Sequence, residues 1–270
     1  MATVLAATHH DPEGRLIAQT ARVMPSLEGM FDGIAVFLTP QSSAEAEASL
    51  AGAVTRRGDQ TLPTGHLHLG LWRRAALALA TEQFPQAERY LFCDLDRALH
   101  WAEQFPQELQ AAIEAAQSYD CLVFGRTPRA FATHPRAQRE TEAIANHGFA
   151  LASGLRWDMM AAARGLSRRA AELIVETCTD DTVGSDCSWP LLCRAAGLEL
   201  GYLEVEGLEF ETLDRFGDEI AALGGPQAWL ERLDADPRQW ATRLGLAQAE
   251  IASAIAYAER AGWGSSDEMR

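Results

Sequence analysis

The sequence predicts an α/β fold, in which a mostly parallel, Rossmann-like β-sheet carries helices on both faces and a small helical extension follows. Between Thr3 and Val205, short apolar runs typical of buried strands alternate with stretches of helical periodicity. These stretches are long enough to be crossover connections between parallel strands. From about Asp214 the periodicity is helical. We therefore expect a sheet domain over residues 1–212 and a helical C-terminal extension over residues 213–270.

The predicted strands of the sheet domain are short runs that are rich in β-branched or aromatic residues and flanked by polar residues or glycine. They are Thr3–Thr8, Ile34–Leu38, Arg89–Cys93, Asp120–Phe124 and Phe149–Ser153. A further segment, Glu199–Val205, alternates polar and apolar residues in the manner of a half-exposed strand.

Stretches of helical periodicity lie between these runs. They are at about Glu13–Gly29, Gly65–Gln83, Pro106–Gln117 and Ser167–Cys178. In the C-terminal extension, Trp229, Leu230 and Leu233 recur at helical spacing, and Asp236-Pro237 is typical of a helix start.

The chain is acidic and contains no lysine. Acidic residues outnumber basic ones by 38 to 23, which gives a formal net charge of −15. This balance argues against a nucleic acid or an anionic membrane as the partner. All 23 basic residues are arginine. Chemistry that needs an ε-amine, such as a pyridoxal Schiff base, a Walker-type phosphate loop or protein-kinase phosphotransfer, is therefore excluded.

The 5 cysteines form neither a CxxC pair nor a zinc-binding spacing. An odd number without a disulfide framework is typical of a reducing compartment, so we expect a cytoplasmic protein. The N-terminus enters a strand-like run directly, and no apolar stretch reaches the length of a membrane span. Neither a signal peptide nor a transmembrane segment is therefore expected.

The segment with the clearest chemical content is Tyr90-Leu-Phe-Cys-Asp94-Leu-Asp96-Arg97, in which an apolar strand runs into two aspartates. On an extended backbone, side chains two residues apart point to the same side, so both carboxylates reach one hard cation. Ligands of open α/β sheets gather at the carboxyl ends of strands. The pair therefore predicts a Mg²⁺ or Mn²⁺ site for a nucleoside diphosphate. Alternatively, Asp96 caps a following helix and Asp94 is a solvated strand end.

Other polar and glycine-containing segments flank the acidic pair in a definite order. They are His10-Asp-Pro-Glu13, Gly65-His-Leu-His-Leu-Gly70, Gly148-Phe-Ala-Leu151 and Val183-Gly-Ser-Asp186. With this order of parts, the chain from Thr3 to Val205 resembles a GT-A glycosyltransferase, the fold of the nucleotide-diphospho-sugar transferases. Within that fold, the layout looks most like the mannosylglycerate synthase type.

The resemblance implies a set of donor-binding residues and a metal site. In such a site Asp94 and Asp96 would bind the Mn²⁺ or Mg²⁺ that bridges the donor diphosphate and stabilises the charge of the leaving group. The donor-binding residues that the resemblance implies are Thr8, His9, Thr39, Arg73 and Asp94.

Asp186 is the catalytic residue that the resemblance implies. In inverting members it would take the proton of the acceptor hydroxyl, and in retaining members it would contact the donor sugar. A plain helix cap is the alternative role for Asp186, and Asp180 and Asp181 compete for the catalytic one.

The chain differs from many GT-A enzymes at the position of the third metal ligand. Many GT-A enzymes complete the metal site with a late histidine or acid, whereas no histidine follows His147 here. Glu211, Asp214 or water are the alternatives.

Arginines are concentrated between Gly125 and Arg139, in a segment that we expect to be a loop. The resemblance implies that such a segment lies towards the acceptor. We predict that Arg126 and Arg129 bind a carboxylate or phosphate of the acceptor. Alternatively, the segment is a solvated loop and its arginines pair with local acids such as Glu140 and Glu142.

The sequence thus predicts a metal-assisted glycosyltransferase with a nucleoside-diphosphate sugar as donor and a small molecule as acceptor. An anionic group on the acceptor would suit the predicted role of Arg126 and Arg129. A haloacid-dehalogenase-like phosphatase, with Asp94 as nucleophile and Thr127, Asp180 and Asp181 as further site residues, stays open. So does a nucleotide-sugar-binding domain without transfer activity. The C-terminal tryptophans are expected to pack in the core or across a homodimer.

Overall fold

The protein is described by a computed structural model that covers residues 1–61, 65 and 68–263. These residues form a seven-stranded sheet in the order β3-β2-β1-β4-β6-β5-β7. The strands are β1 (Thr3–His9), β2 (Gly33–Leu38), β3 (Val54–Arg57), β4 (Arg89–Cys93), β5 (Cys121–Arg126), β6 (Ala163–Ser167) and β7 (Leu200–Val205). β6 runs antiparallel to both β4 and β5, and the other neighbouring pairs are parallel. The predicted α/β fold with a mostly parallel sheet is confirmed.

The α-helices of the described residues cover both faces of the sheet and form the C-terminal region. They are α1 (Ile17–Met30), α2 (Ala44–Ala48), α3 (Leu69–Gln83), α4 (Leu95–Gln104), α5 (Pro106–Ala115), α6 (Pro128–Ala132), α7 (Arg136–Ser153), α8 (Arg168–Thr177), α9 (Ser185–Ala195), α10 (Gly217–Ala222), α11 (Pro226–Asp234) and α12 (Pro237–Arg260). A 3₁₀ turn, Glu211–Arg215, lies between β7 and α10.

Successive side chains of the central strands point to opposite faces of the sheet, so the strands contribute to two apolar layers. Val4 and Ala6 of β1 face a core made with α3, α8 and α9, whereas Leu5 and Ala7 face a core made with α1, α4 and α5. Because the strands are buried on both faces, they read as continuous apolar runs in the sequence, which is why most of them were recognisable.

The sequence-based assignment was wrong at Phe149–Ser153, which is the last part of helix α7 and not a strand. A short apolar run is equally compatible with a buried strand and with the apolar face of a helix. Helix α7 continues to Ser153 and ends at Gly154, whose φ of +77° is a left-handed conformation that suits glycine.

Two strands were not predicted. β3 contains Arg56 and Arg57, and β6 contains Arg164 and Gly165, so neither reads as an apolar run. Helix α3 begins at Leu69, and His66 and Leu67 of the predicted glycine-started helix lie outside the described residues.

The C-terminal helices pack on the sheet domain. Ala254 and Tyr257 of α12 belong to the same core as β1 and α3, and Leu246 packs with Val183 in a smaller cluster. The boundary between residues 212 and 213 stays a prediction. Within the part of the chain that the structure describes, no helix combines the length and apolar character that crossing a membrane needs.

Candidate active site

A cleft of about 460 Å³ opens where β1, β2 and β4 end. The three strands are parallel neighbours, so their carboxyl ends meet at one edge of the sheet. Thr8 and His10 border the cleft from the end of β1, Thr39 from the residue after β2, and Asp94 from the residue after β4. The polar residues at these strand ends therefore face one cleft.

Asp94 is held in place by two donors. Its Oδ1 accepts a hydrogen bond of 2.5 Å from Thr8 Oγ1, and its Oδ2 accepts one of 3.0 Å from Arg73 Nη2. Asp94 occupies the N-cap position of α4, but its side chain makes no capping hydrogen bond. The carboxylate is therefore directed to the cleft.

Asp96 borders the same cleft by a different geometry from the one predicted. Since α4 begins at Leu95, Asp96 lies in the first helical turn and not on an extended backbone. Its Oδ2 accepts a hydrogen bond of 2.7 Å from Arg215 Nη2. Burial by itself would raise the pKa of Asp96, but Arg215 and Arg97 together lower it, so the group stays ionised.

Asp186 lies across the cleft from Asp94, and Arg73 joins the two. Arg73 donates from Nη1 to Asp186 Oδ2 and from Nη2 to Asp94 Oδ2, each at 3.0 Å. Asp186 lies in the first turn of α9, whose N-cap is Gly184, so the alternative of a plain helix cap is wrong. One guanidinium thus sets the separation of two carboxylates that face the same space.

The cleft includes charged residues that sequence reasoning missed. Arg215 of the 3₁₀ turn and Arg243 of α12 both border it, together with Arg97 and the predicted candidate Glu211. No motif surrounds Arg215 or Arg243, and only the packing of the C-terminal segments against the sheet edge brings them there.

Glu211 is the better placed of the two predicted candidates for a third metal ligand. It is buried beside Arg97, with 3.5 Å between Arg97 Nε and Glu211 Oε1, and its Oε2 has no hydrogen-bond partner among the described residues. Burial raises the pKa of Glu211, and Asp96 adds to the rise. Asp214 instead binds His100 Nδ1 at 2.8 Å and does not border the cleft.

The donor set suits a hard cation that keeps water and phosphate among its ligands. Within residues 1–61, 65 and 68–263, no three histidine, cysteine or acidic side chains are arranged to hold a metal by themselves. Asp94 and Asp96 nevertheless border one cleft with the orphaned Glu211 oxygen. Mg²⁺ is commonly held by one or two carboxylates and completed by substrate phosphates and water. The residues therefore fit a metal that arrives with a diphosphate.

Of the other predicted donor-binding residues, Thr39 borders the cleft and His9 does not. Thr39 Oγ1 lies 2.7 Å from His10 Nδ1. His9 is 2% exposed, and neither ring nitrogen has a hydrogen-bond partner within the described residues. Successive side chains of a strand point to opposite faces, so Thr8 and His9 cannot both face the cleft.

Arg126 and Arg129 lie away from this cleft, and the segment between Gly125 and Arg139 is mostly helical. The buried Arg126 binds Asp158 at 2.7 Å and Glu142 at 2.5 Å. The exposed Arg129 binds Glu206 and Glu209. The expectation of a loop was wrong. The alternative that these arginines pair with acids describes their geometry.

Arg126 borders a second cavity of about 570 Å³. Its wall includes Trp157 and Tyr202, whose rings stack with 5.4 Å between centroids. Asp158 and Glu204 are its acids, and the first of these is bound to Arg126. The strand-end carboxylates that suit a metal and a phosphate lie in the smaller cleft, which is why we assign the chemistry there.

The residues of the phosphatase alternative do not come together. Asp180 bonds to Thr182 and Ser253, and Asp181 pairs with Arg74. Thr127 caps α6, and none of the three predicted partners borders the cleft that contains Asp94.

No protein-family model matches the chain, and no curated protein matches it. Among solved structures, the chain is similar to glucosyl-3-phosphoglycerate synthase from Mycobacterium tuberculosis in complex with Mn²⁺, UDP and phosphoglyceric acid. That alignment has a TM-score of 0.54 and 14% identity, and it covers 98% of this chain and 80% of that one.

Two further structures of that synthase align at 13% identity. The complex with Mg²⁺ and UDP has a TM-score of 0.49, with 75% of this chain and 69% of that chain covered. Another structure of it has a TM-score of 0.47, with 83% and 80% covered. The alignment with the Mn²⁺ complex carries the comparison. It shows that the chain shares the α/β fold of that synthase, which is the GT-A fold that the sequence resemblance predicts.

Proposed function

We propose that the protein is a glycosyltransferase that moves a sugar from a nucleoside-diphosphate sugar to a small anionic acceptor with the help of Mg²⁺ or Mn²⁺. The observation that carries this proposal is the cleft at the ends of β1, β2 and β4, where Asp94 and Asp96 face the same space as Asp186. The similarity in fold to a synthase whose complex contains Mn²⁺, UDP and phosphoglyceric acid supports it.

In this proposal, the strand ends bind the donor. Thr8 and Thr39 contact the nucleoside, and Arg73 stabilises the diphosphate. Asp94 and Asp96 hold the metal, with Glu211 as the side chain available for a third position. The bound metal supplies positive charge to the departing nucleoside diphosphate.

In this proposal, a sugar attached to that diphosphate faces Asp186, which borders the same cleft as Asp94 and Asp96. Because Arg73 binds both Asp94 and Asp186, a donor whose phosphates engage Arg73 is placed against Asp186. Asp186 then either accepts the proton of the acceptor hydroxyl or contacts the donor sugar. Stereochemical analysis of the product distinguishes the two roles.

Arg243 takes over the role that the sequence assigned to Arg126 and Arg129. Its ion pair is with Glu142 at 3.7 Å, and Arg126 binds that same acid at 2.5 Å. Burial lowers the pKa of Arg243, and the neighbouring Arg97 opposes its positive charge further. An arginine that borders the cleft with so little compensation is suited to bind a carboxylate or phosphate of the acceptor.

The test is turnover of nucleoside-diphosphate sugars. The purified protein is incubated with a panel of donors and Mn²⁺ or Mg²⁺, and released nucleoside diphosphate is measured. We expect slow hydrolysis of one donor, and Asp186→Asn should reduce it by about a hundredfold or more, since general acid–base contributions are about 10²–10⁴. The matched control is Asp181→Asn, since Asp181 pairs with Arg74 outside the cleft. Metal-dependent binding without any turnover would instead assign a nucleotide-sugar-binding domain.

The acceptor assignment has its own test once an acceptor has been found by adding small carboxylates and phosphates to the assay. Arg243→Gln should raise the acceptor KM and leave the donor KM unchanged. The control is Arg238→Gln on the same helix, because the Arg238 side chain is 88% exposed and pairs with Asp236. Equal acceptor KM values for both variants would contradict the role of Arg243.

A further inference from the structure

Glu250 of α12 is a fully buried acid close to Asp186. Glu250 is 0% exposed, and no donor among the described residues gives a hydrogen bond to either of its carboxyl oxygens. Its polar neighbours include the Asp186 carboxylate and the Cys187 thiol of α9, with Arg73 of α3 acting at longer range. An ionised carboxylate in such a position would carry an uncompensated buried charge, which is costly.

The charges around Asp186 are balanced without Glu250. Arg73 and Arg164 supply two positive charges, of which the first binds Asp94 and Asp186 and the second lies 3.6 Å from Asp186 Oδ1. Asp94 and Asp186 supply two negative charges. An ionised Glu250 would therefore add an excess negative charge beside Asp186, whereas a protonated Glu250 is neutral and adds none.

We propose that Glu250 is a neutral carboxylic acid whose O–H donates a hydrogen bond to the carboxylate of Asp186 and that it is the positioning residue that fixes Asp186 in the cleft wall. Arg73 and Glu250 then both donate hydrogen bonds to Asp186. Burial raises the pKa of Glu250 well above its ordinary value, and the charge of Asp186 adds to the rise. This inference deepens the proposed function, on which its kinetic consequences rest.

The proposal gives α12 a direct part in the site. The helix packs against α7 and α9, and it contributes Arg243 at the cleft and Glu250 beneath it. These residues are seven positions apart, which is about two helical turns, so both lie on the same face of α12.

The first test does not depend on turnover. Infrared difference spectra of the free protein at neutral pH should show the carbonyl band of a protonated carboxylic acid, and Glu250→Gln should remove it. The exposed Glu259 of the same helix is the control, since Glu259→Gln should leave the band in place. A wild-type protein without the band overturns the proposal. So does a band that survives Glu250→Gln and disappears in Asp186→Asn, because the proton would then belong to Asp186.

The second test uses the transferase or donor-hydrolysis assay. Glu250→Gln keeps a donor for Asp186, whereas Glu250→Leu removes it. We expect Glu250→Leu to lower kcat by roughly tenfold to a hundredfold with little change in the donor KM, as expected for a misplaced reacting group.

The conservative variant separates positioning from a structural role. Glu250→Gln should retain kcat, because its amide still donates a hydrogen bond to Asp186. If Glu250→Gln loses as much kcat as Glu250→Leu while both variants keep the thermal midpoint of the wild type, the hydrogen-bond role is contradicted. If the infrared result holds and no turnover is found with any donor, the proposed function fails and the protonated Glu250 stands.

Discussion

Arg73 is the residue on which the charges of the cleft converge. Arg73 is 4% exposed, and its guanidinium binds both Asp94, which follows β4, and Asp186 of α9. Burial by itself would lower the pKa of Arg73, but the two carboxylates together raise it. The arginine is therefore a structural link between the two carboxylates, and in the proposed function it also binds the diphosphate.

Replacing Arg73 should lower the stability of the protein, because two carboxylates are left without their cation. Arg73→Met is expected to reduce the free energy of unfolding by about 3–5 kcal/mol, as for other broken buried ion pairs. Urea denaturation measures the change. Arg74→Met is the control on the same helix, and we expect it to cost no more than about 1 kcal/mol because its partner Asp181 is half exposed.

The double variant Arg73→Met with Asp186→Asn tests the cause of that loss. If uncompensated charge is responsible, neutralising Asp186 should recover part of the stability. If the double variant instead loses as much stability as the two single variants together, then packing, and not charge, accounts for the effect.

His9 should make stability depend on pH. Burial lowers its pKa to about 4, from the ordinary histidine value of 6.5, although Asp11 and Asp96 oppose the shift. Between these values the unfolded chain binds a proton that the folded protein does not. Stability from this group is therefore complete above about pH 6.5 and is lost as the pH falls towards 4.

The size of this effect follows from the shift, since one pKa unit corresponds to about 1.4 kcal/mol and the full loss is on the order of 3 kcal/mol. Urea denaturation at several pH values measures it. His9→Leu should flatten the curve in this window, whereas a variant of the exposed His147 should not. An unchanged pH dependence in His9→Leu would contradict the explanation.

At the scale of elements, the site depends on how closely α3 approaches the segment before α9. Gly70 lies at the start of α3, and a Cβ there would come within 2.3 Å of the backbone oxygen of Thr182 and 2.6 Å of that of Asp180. The Leu71 amide donates to the Asp181 carbonyl at 3.1 Å across the same contact. Glycine thus permits the approach that lets Arg73 reach Asp186.

Gly70→Ala should push α3 away from this segment. We expect a stability loss of about 1–3 kcal/mol, as for other overpacked sites, together with a lower rate of donor turnover. Gly245→Ala in α12 is the control, because nothing lies within 4 Å of its added Cβ. Alanine is the better helix former, so that variant should be neutral or stabilised by up to about 1 kcal/mol. Equal thermal midpoints for the two variants would contradict the close-approach argument.

The elements also show what local sequence patterns could and could not predict. The acidic pair was recognisable because a continuous apolar strand precedes it, and its place at the sheet edge follows from parallel topology. The start of α4 between the two aspartates was not recognisable, since Asp94 and Asp96 fit a strand end and a helix start equally well. The apolar run Phe149–Ser153 was ambiguous for the same reason.

At the scale of the whole molecule, the fold could be predicted because apolar alternation and crossover lengths are local properties. The composition of the cleft could not, because it is determined by tertiary packing. Arg215 and Arg243 reach the cleft from the C-terminal segments, and Arg126 lies at the carboxyl end of β5, two strands away from β4. The sequence analysis did not predict β6. Because this antiparallel strand lies between β4 and β5, the separation of Arg126 from the end of β4 was not predicted either.

The most direct test of the central claim is binding of nucleoside diphosphates in the presence of Mn²⁺ or Mg²⁺, followed by thermal unfolding and calorimetry. We expect one diphosphate to stabilise the protein only when the ion is present, by about 2.7 kcal/mol at a hundredfold excess over its Kd. Asp94→Asn and Asp96→Asn should abolish this stabilisation, and the exposed Asp218→Asn should retain it. Stabilisation that is equal in all three variants, or absent with every diphosphate and both ions, would contradict the assignment of this cleft.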